Sequence, residues 1–328
     1  EALIIMGQVA RESFTVLYPD PSAVAESAVA APQVDESILV VTDSRLVREC
    51  STCTAEAAVG PDDLAAIIAR LYGPNGTGQL SAEQVVSLTF ADVAQVLDAE
   101  TSAQPSESSG VLLLPTPTAT PPPTPDPAAG EDAEAVVDKN TRTQQLINDA
   151  DWIIFAMLDV DTANYPTSDV VKRFLNQSGV QLANKRIVVL ALHAPYFLDA
   201  TEISKLAGYY GVYGKTQPFL ESAVRALFRA YTPTGSPPVS VPGTRFATLS
   251  ERLSPDPLQP IDLLVLGPDG DVIAGEALSA DEDLPQVEAG TLIRIQTAGP
   301  ILDHNRQPVR NGTLVEVVVE YEDDAAAR

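Results

Sequence analysis

The sequence predicts an α/β domain, a mainly parallel sheet flanked by helices, followed by a small all-β sandwich. Three observations carry this. The runs SILVVT (37–42), IIFAML (153–158) and IVVLAL (187–192) are apolar without alternation, the pattern of strands buried on both faces of a parallel sheet. Segments between them carry apolar residues at helical spacing, so strands and helices alternate. Beyond Gly243 the period changes to two, as in TLIRIQT (291–297) and TLVEVVVEY (313–321). The expected boundary is therefore 1–243 for the α/β domain and 244–328 for the β module with its acidic tail.

Taken in order, Ala2 to Arg11 reads as a helix and FTVLY (14–18) as a strand stopped by Pro19. An Ala/Ser/Pro-rich loop leads to SILVVT. Asp62 to Tyr72 has an acidic start and apolar residues at 64, 67, 68 and 71, one face of a helix. Gly73-Pro74-Asn75-Gly76 ends it. Ser81 to Asp98 reads as two short helices broken near Phe90-Ala91-Asp92. From about 101 to 140 the expectation is a proline-rich surface insertion. Val111 to Leu114 is a short strand or an apolar patch, and Pro115 to Pro127 samples polyproline II.

Order is expected again at Thr141. A helix leads into the strand at 153–158. Tyr165-Pro166-Thr167-Ser168 caps a helix, Asp169 to Asn176, that turns Val170, Val171, Phe174 and Leu175 inward. The strand at 187–192, a helix at 200–206, AGYYGVYG (207–214) and a helix from Gln217 to Tyr231 complete the unit. The last helix faces the core with Leu220, Val224, Leu227 and Phe228. In the second module Ile261 to Leu266, a Gly-Pro-Asp-Gly turn and Asp271 to Ala274 read as a hairpin. Asp303-His304-Asn305 and Asn311-Gly312 read as further turns.

Composition narrows the function classes. The 328 residues suffice for two cores, and the net charge of −25 disfavours nucleic acid and anionic membrane, both of which reward Lys/Arg clusters. No run approaches the roughly 18 apolar residues that span a bilayer. The helical opening shows no basic segment or cleavage site, so either a leader has been removed or more protein precedes Glu1. Cys50 and Cys53 form the single motif CSTC, too few ligands for a structural zinc. A loop-closing disulfide is favoured over free thiols and over redox catalysis, with Arg45 and Arg48 able to lower a thiol pKa and Glu49 opposing them. Such a disulfide places the chain outside the cytosol, extracellular or on the cell surface.

The candidate site is the carboxyl end of the strand at 187–192, where His193, Pro195 and Tyr196 follow the apolar run. Sheets of this kind place their sites at such ends. Asp159 and Asp161 follow the neighbouring strand end, with a loop-forming role as the simpler reading. His193 is expected to be a buried, hydrogen-bonded strand-end histidine, and His304 an exposed turn residue. No serine stands out as a triad partner, no phosphate loop occurs, and GYYGVYG is too aromatic for one. No metal set and no cofactor is implied, so these five residues are read as a rim or docking edge. Asn75-Gly76-Thr77, Asn176-Gln177-Ser178 and Asn311-Gly312-Thr313 match the N-glycosylation pattern, which Asn-Gly turns explain equally well at two of them.

FTVLYP (14–19), SILVVT, DWIIFAML (151–158), KRIVVLALHAPYFLD (185–199), AGYYGVYG, FLESAVRALF (219–228) and SPPVSVPG (236–243) occur in one order. Together they resemble the C-terminal α/β sandwich of glycoside hydrolase family 3, in particular its β-N-acetylhexosaminidase-like branch. Pro195-Tyr196, Tyr209-Tyr210, Ala226-Leu227-Phe228 and Pro238 to Pro242 carry the resemblance, which covers about Glu1 to Gly243. ILDHNRQPVRNGTLVEVVVEY (301–321) is similar to bacterial immunoglobulin-like modules. In family 3 a (β/α)8 barrel, typically about 250 residues, precedes the sandwich and supplies the nucleophilic aspartate. The resemblance therefore implies no catalytic residue here. It implies a non-catalytic C-terminal part of a secreted family 3-like protein whose partner is a catalytic barrel, on the same or another chain. The alternative is a building block of an extracellular or cell-surface assembly, partnered by copies of itself.

Overall fold

Strand and helix alternate as the apolar periods require. The computed structural model describes residues 2–20, 29–48, 50–103, 127–177, 182, 184–259, 263–267, 272–274 and 294–309. The chain divides into two units, Glu1–Ala247 and Thr248–Arg328. In the first, helix α1 (Ala2–Ser13) leads into strand β1 (Thr15–Tyr18), then β2 (Ile38–Thr42) and a small hairpin of β3 (Leu46–Val47) and β4 (Glu56–Ala57). Helix α2 (Asp63–Tyr72), strand β5 (Val85–Thr89), α3 (Phe90–Ala103) and α4 (Pro127–Asp149) follow. Next come β6 (Trp152–Met157), α5 (Val170–Gln177), β7 (Arg186–Ala191), α6 (Ala200–Ser204), β8 (Gly208–Gly211) and α7 (Gln217–Leu227).

The sheet has six strands in the order β1-β8-β7-β6-β2-β5. Strand β1 runs antiparallel to β8 at one edge, and the other pairings are parallel. Strands β2 and β6 are buried throughout, as is β7 after Arg186. Alternate strand residues feed two cores, one on each face. Helices α2 and α7 supply the first, through Leu64, Ile68, Leu220 and Val224. Helices α3, α4, α5 and α6 supply the second, and α5 delivers to it Val170, Val171, Phe174 and Leu175, the four residues its periodicity selects. The order also sets a switch. From β2 the chain steps outward to β5, then crosses back to β6 and continues the other way to β7 and β8. The crevice at the carboxyl ends of β2 and β6 is thus a topological switch point.

Two expectations are corrected. Ser81 to Asp98 is not a pair of helices: Ser81 and Gln84 form a capping box on one 3-10 turn, VVSLT follows as edge strand β5, and the helix starts at Phe90. Two adjacent valines favour a strand, and a parallel neighbour on one side is enough to hold it. Helix α4 begins at Pro127 rather than near Thr141. Pro is favoured in the first helical turn, and the Ala/Glu-rich sequence behind it favours helix. Residues 104–126, which include Val111 to Leu114 and most of the proline run, lie outside the described residues.

The aromatic motif GYYGVYG now has a steric reason. A Cβ on Gly208 would strike the ring of Tyr210, and one on Gly211 the hydroxyl end of Tyr213. The glycines make room for rings that fold back over their own strand.

In the second unit a short helix α8 (Leu249–Arg252) precedes β9 (Leu263–Leu266), β10 (Val272–Ala274) and β11 (Arg294–Thr297). They form an antiparallel sheet in the order β10-β9-β11. The buried carboxylate of Asp303 accepts the backbone N–H groups of Asn305 and Gln307 at 2.8 and 2.9 Å, which closes the expected turn. His304 is exposed beside it. The strand expected at 313–321 lies outside the described residues.

Candidate functional site

At the carboxyl ends of β2 and β7 the hydrogen bonds to β6 continue one residue past each strand. The Asp43 N–H donates to the Ala156 carbonyl at 3.0 Å, and the Leu192 N–H to the Met157 carbonyl at 2.8 Å. This registers the next polar residues, Asp43, Asp159 and His193, around the switch point.

Arg45 ties them together. Its Nε donates to Asp43 Oδ1 at 2.9 Å, and its Nη2 closes on Asp43 Oδ2. Its Nη1 reaches Asp159 Oδ1 at 2.5 Å and its Nη2 the Asp159 carbonyl at 3.0 Å. The guanidinium lies over the Tyr165 ring, 4.5 Å from its centroid. Only 6% of the Arg45 side chain and 2% of that of Asp43 are exposed. Burial by itself would lower the Arg45 pKa, but the hydrogen bonds and charges of Asp43 and Asp159 outweigh it and hold the pKa above its ordinary value.

His193 Nδ1 sits 3.5 Å from Asp159 Oδ2, so Asp159 bridges the buried guanidinium and the imidazole. His193 is 48% exposed, which corrects the expectation of a buried histidine: the unbroken buried run of the strand ends at Leu192, and the His193 side chain turns outward after it. Pro195 is buried beneath the turn, while Tyr196 is exposed with its ring tilted against Phe197 at 4.7 Å. Asp161 belongs to a separate turn and accepts from the Asn164 side-chain amide at 2.7 Å and its backbone N–H at 3.3 Å. Those bonds, the side-chain one first, keep its pKa below the usual carboxylate value. The structure thus joins Asp159 to His193 and leaves Asp161 in its loop.

The sequence reading missed Asp43, Arg45 and Tyr165. Asp43 had a signal, since it is the first acidic residue after a buried run, as Asp159 is. The sequence sets Arg45 beside the cysteines, but its guanidinium faces Asp43 and Asp159. Cys50 and Cys53 are joined by a disulfide in an exposed turn between β3 and β4. Asn75 lies in an exposed turn after α2, and Asn176 accepts from Lys205 Nζ at 3.2 Å. Ser178 and Asn311 lie outside the described residues.

Chemically, the cluster is a closed ion network with an exposed rim. Both Asp43 oxygens are held by Arg45, and Asp159 is shared between Arg45 and His193. A general base needs a lone pair aimed at a substrate proton. Here the inner carboxylates are aimed at a guanidinium. Among the described residues no group of three or more His, Cys, Asp or Glu side chains could hold a metal ion. No helix among them is long and apolar enough to cross a membrane.

No family model matches the chain, and no curated protein matches it. Solved structures similar to it include a fungal multi-domain GH3 β-N-acetylglucosaminidase described as having a GCN5-related glucosamine N-acetyltransferase region. That likeness has 16% identity and a TM-score of 0.37, over 80% of this chain and 20% of that one. The β-glucoside phosphorylase BglX matches at 13% identity and a TM-score of 0.34, over 71% of this chain and 30% of that one. The β-glucosidase EmGH1 from Erythrobacter marinus matches at 10% identity and a TM-score of 0.37, over 92% and 45%. The chain spans from a fifth to less than half of these proteins' lengths. Likenesses of this strength assign neither substrate nor activity.

Proposed function

We propose that this chain is a non-catalytic α/β domain of a secreted glycoside hydrolase family 3-like protein, of the β-N-acetylhexosaminidase-like kind, that supports or docks a catalytic barrel. The observation that carries the reading is the closed Asp43–Arg45–Asp159 network at the switch point. It occupies the crevice where such a sheet would otherwise place chemistry, and it pins the loops after β2 and β6 to each other. What remains exposed, His193 and Tyr196, forms a rim suited to contact. The motif order from FTVLYP to SPPVSVPG supports the family, and the Cys50–Cys53 disulfide supports an oxidising compartment. The antiparallel strands and the Asp303 turn of the second unit are compatible with an immunoglobulin-like spacer.

The test is the purified chain on 4-nitrophenyl N-acetyl-β-glucosaminide and β-glucoside, beside the Asp159→Asn and His193→Gln variants. The expected result is no turnover above buffer for any of the three. Turnover by the parent chain that disappears in either variant would make the rim an active site and end the proposal.

A further inference from the structure

The helix α1 is apolar nearly all round, and a helix of that kind is normally covered on all sides. Here only Ala10 is buried. Leu3, Ile4, Ile5, Met6 and Val9 are exposed, with Leu3 at 74% and Ile4 at 76%, and these five make up half of the ten exposed large apolar residues among the described ones. The helix packs against α7. A Cβ placed on Gly7 would meet nothing within 4 Å. A wedge of about 510 Å³ opens there between Leu3, Gly7 and Arg11 on one side and Pro218, Ser222 and Arg225 on the other.

Charge selects what can fill it. The chain carries 45 acidic and 20 basic residues, yet the charged groups lining the wedge are two guanidiniums, Arg11 and Arg225, and one carboxylate, Glu221. Arg11 lies over the Tyr231 ring at 4.9 Å. Arg225 and Arg70 share Glu221 between them, at 2.8 and 2.7 Å. Glu12, bonded to Gln8 at 2.8 Å, is the one carboxylate on the helix. A second copy docked about a two-fold axis would set this face, two guanidiniums and one carboxylate, against an identical one of the same net sign. An anionic bilayer would face a net charge of −25. A folded protein surface with an apolar projection ringed by carboxylates meets neither obstacle.

We infer that α1 and the α1–α7 wedge are the docking surface for a protein partner presenting an apolar patch rimmed by acidic residues. The inference rests on the docking reading above and adds its location and chemistry. The full chain, isolated natively with its partner, is the material for the test. The partner is identified by mass spectrometry, purified, and titrated against the parent chain, Ile4→Asp/Ile5→Asp and Arg11→Glu/Arg225→Glu. Circular dichroism and melting of each variant check that the fold survives, which exposed positions permit. The expected result is an acidic barrel protein that protects residues 2–11 from hydrogen exchange. Its affinity should fall about 30-fold or more in the isoleucine variant, with weaker salt dependence in the arginine variant.

A barrel that binds all variants equally overturns the location and leaves the docking reading standing. Self-association lost in Ile4→Asp/Ile5→Asp would make the occupant a second copy. Pelleting with phosphatidylglycerol vesicles lost in the same variant would make it a bilayer. Either overturns the inference. A protein that co-isolates with nothing and leaves α1 freely exchanging overturns the inference and the docking reading together.

Discussion

Strands β2, β6 and β7 end in polar networks at both ends of the sheet, and the two are built differently. At the amino end Glu36 accepts from Trp152 Nε1 at 2.7 Å and pairs with Arg186, whose guanidinium lies 5.2 Å from the Trp152 ring centroid. Asp151 accepts from the Ser37 N–H and hydroxyl, each at 2.8 Å. Lys185 donates to the Asn148 and Ala150 carbonyls. These contacts are several, short in reach and partly exposed. At the carboxyl end one buried guanidinium joins two carboxylates from different loops. The amino end spreads its stabilisation and the carboxyl end concentrates it, so single substitutions should be absorbed at one and not at the other.

The largest effect expected is from Arg45→Ala. It leaves Asp43 buried without its partner, which costs about 3–5 kcal/mol. Urea unfolding of the first unit measures it. Arg45→Met combined with Asp43→Leu should cost less than Arg45→Ala, because no buried charge is then orphaned. A single substitution costing no more than the double would break the contrast between the two ends.

Next is the hairpin beside Arg45. Cys50→Ser/Cys53→Ser opens a loop with a sequence separation of only 3. Loop-closure entropy for so short a loop is worth about 2 kcal/mol. Reduction with dithiothreitol in the same unfolding assay should match the double variant.

At the amino end Glu36→Gln should cost less than about 1 kcal/mol, since Arg186 is half-exposed and screened and the amide carbonyl still accepts from Trp152. Its signature lies in pH. Burial alone would raise the Glu36 pKa, but Trp152, Gln33 and Arg186 lower it below 4.5. Asp151 is lowered below 3.8, first by the Ser37 N–H. A depressed folded pKa gives stability that is present above the ordinary values and lost as pH falls through the folded ones. Acid unfolding below about pH 4.5 should therefore be shallower in Glu36→Gln and in Asp151→Asn. An unchanged acid limb in both would remove these groups from the account.

The smallest effect is that of His193→Gln, where the imidazole is exposed and paired with Asp159 at 3.5 Å, at within about 0.5 kcal/mol. A larger loss would mean that the rim helps to hold the carboxyl-end network closed.

The elements were legible where one physical rule dominated. Val188 to Leu192 is apolar without a break, short and rich in β-branched neighbours, which suits a strand covered on both faces. Val170, Val171, Phe174 and Leu175 share one helical face, and all four are buried. Edge strand β5 was hidden because five half-buried residues with a serine among them leave neither a period nor a continuous run. The start of α4 was hidden by the proline run ahead of it, which dominates the composition of its neighbourhood. At the candidate site the strand-end positions of Asp159 and His193 were readable. Their pairing through Arg45 was not, since Arg45 and Asp159 are 114 residues apart and only the strand order β7-β6-β2 brings them together. Helix α1 was readable as a helix, but nothing in its sequence says that Leu3, Ile4, Ile5, Met6 and Val9 are exposed among the described residues.

The central proposal is that the switch point is closed by the Asp43–Arg45–Asp159 network and that this chain is non-catalytic. Its most direct measurement is the hydrolysis rate of 4-nitrophenyl N-acetyl-β-glucosaminide by the purified 328-residue chain, with Asp159→Asn as the paired control. The account predicts the buffer rate for both. A parent rate clearly above buffer that falls to background in Asp159→Asn would contradict it.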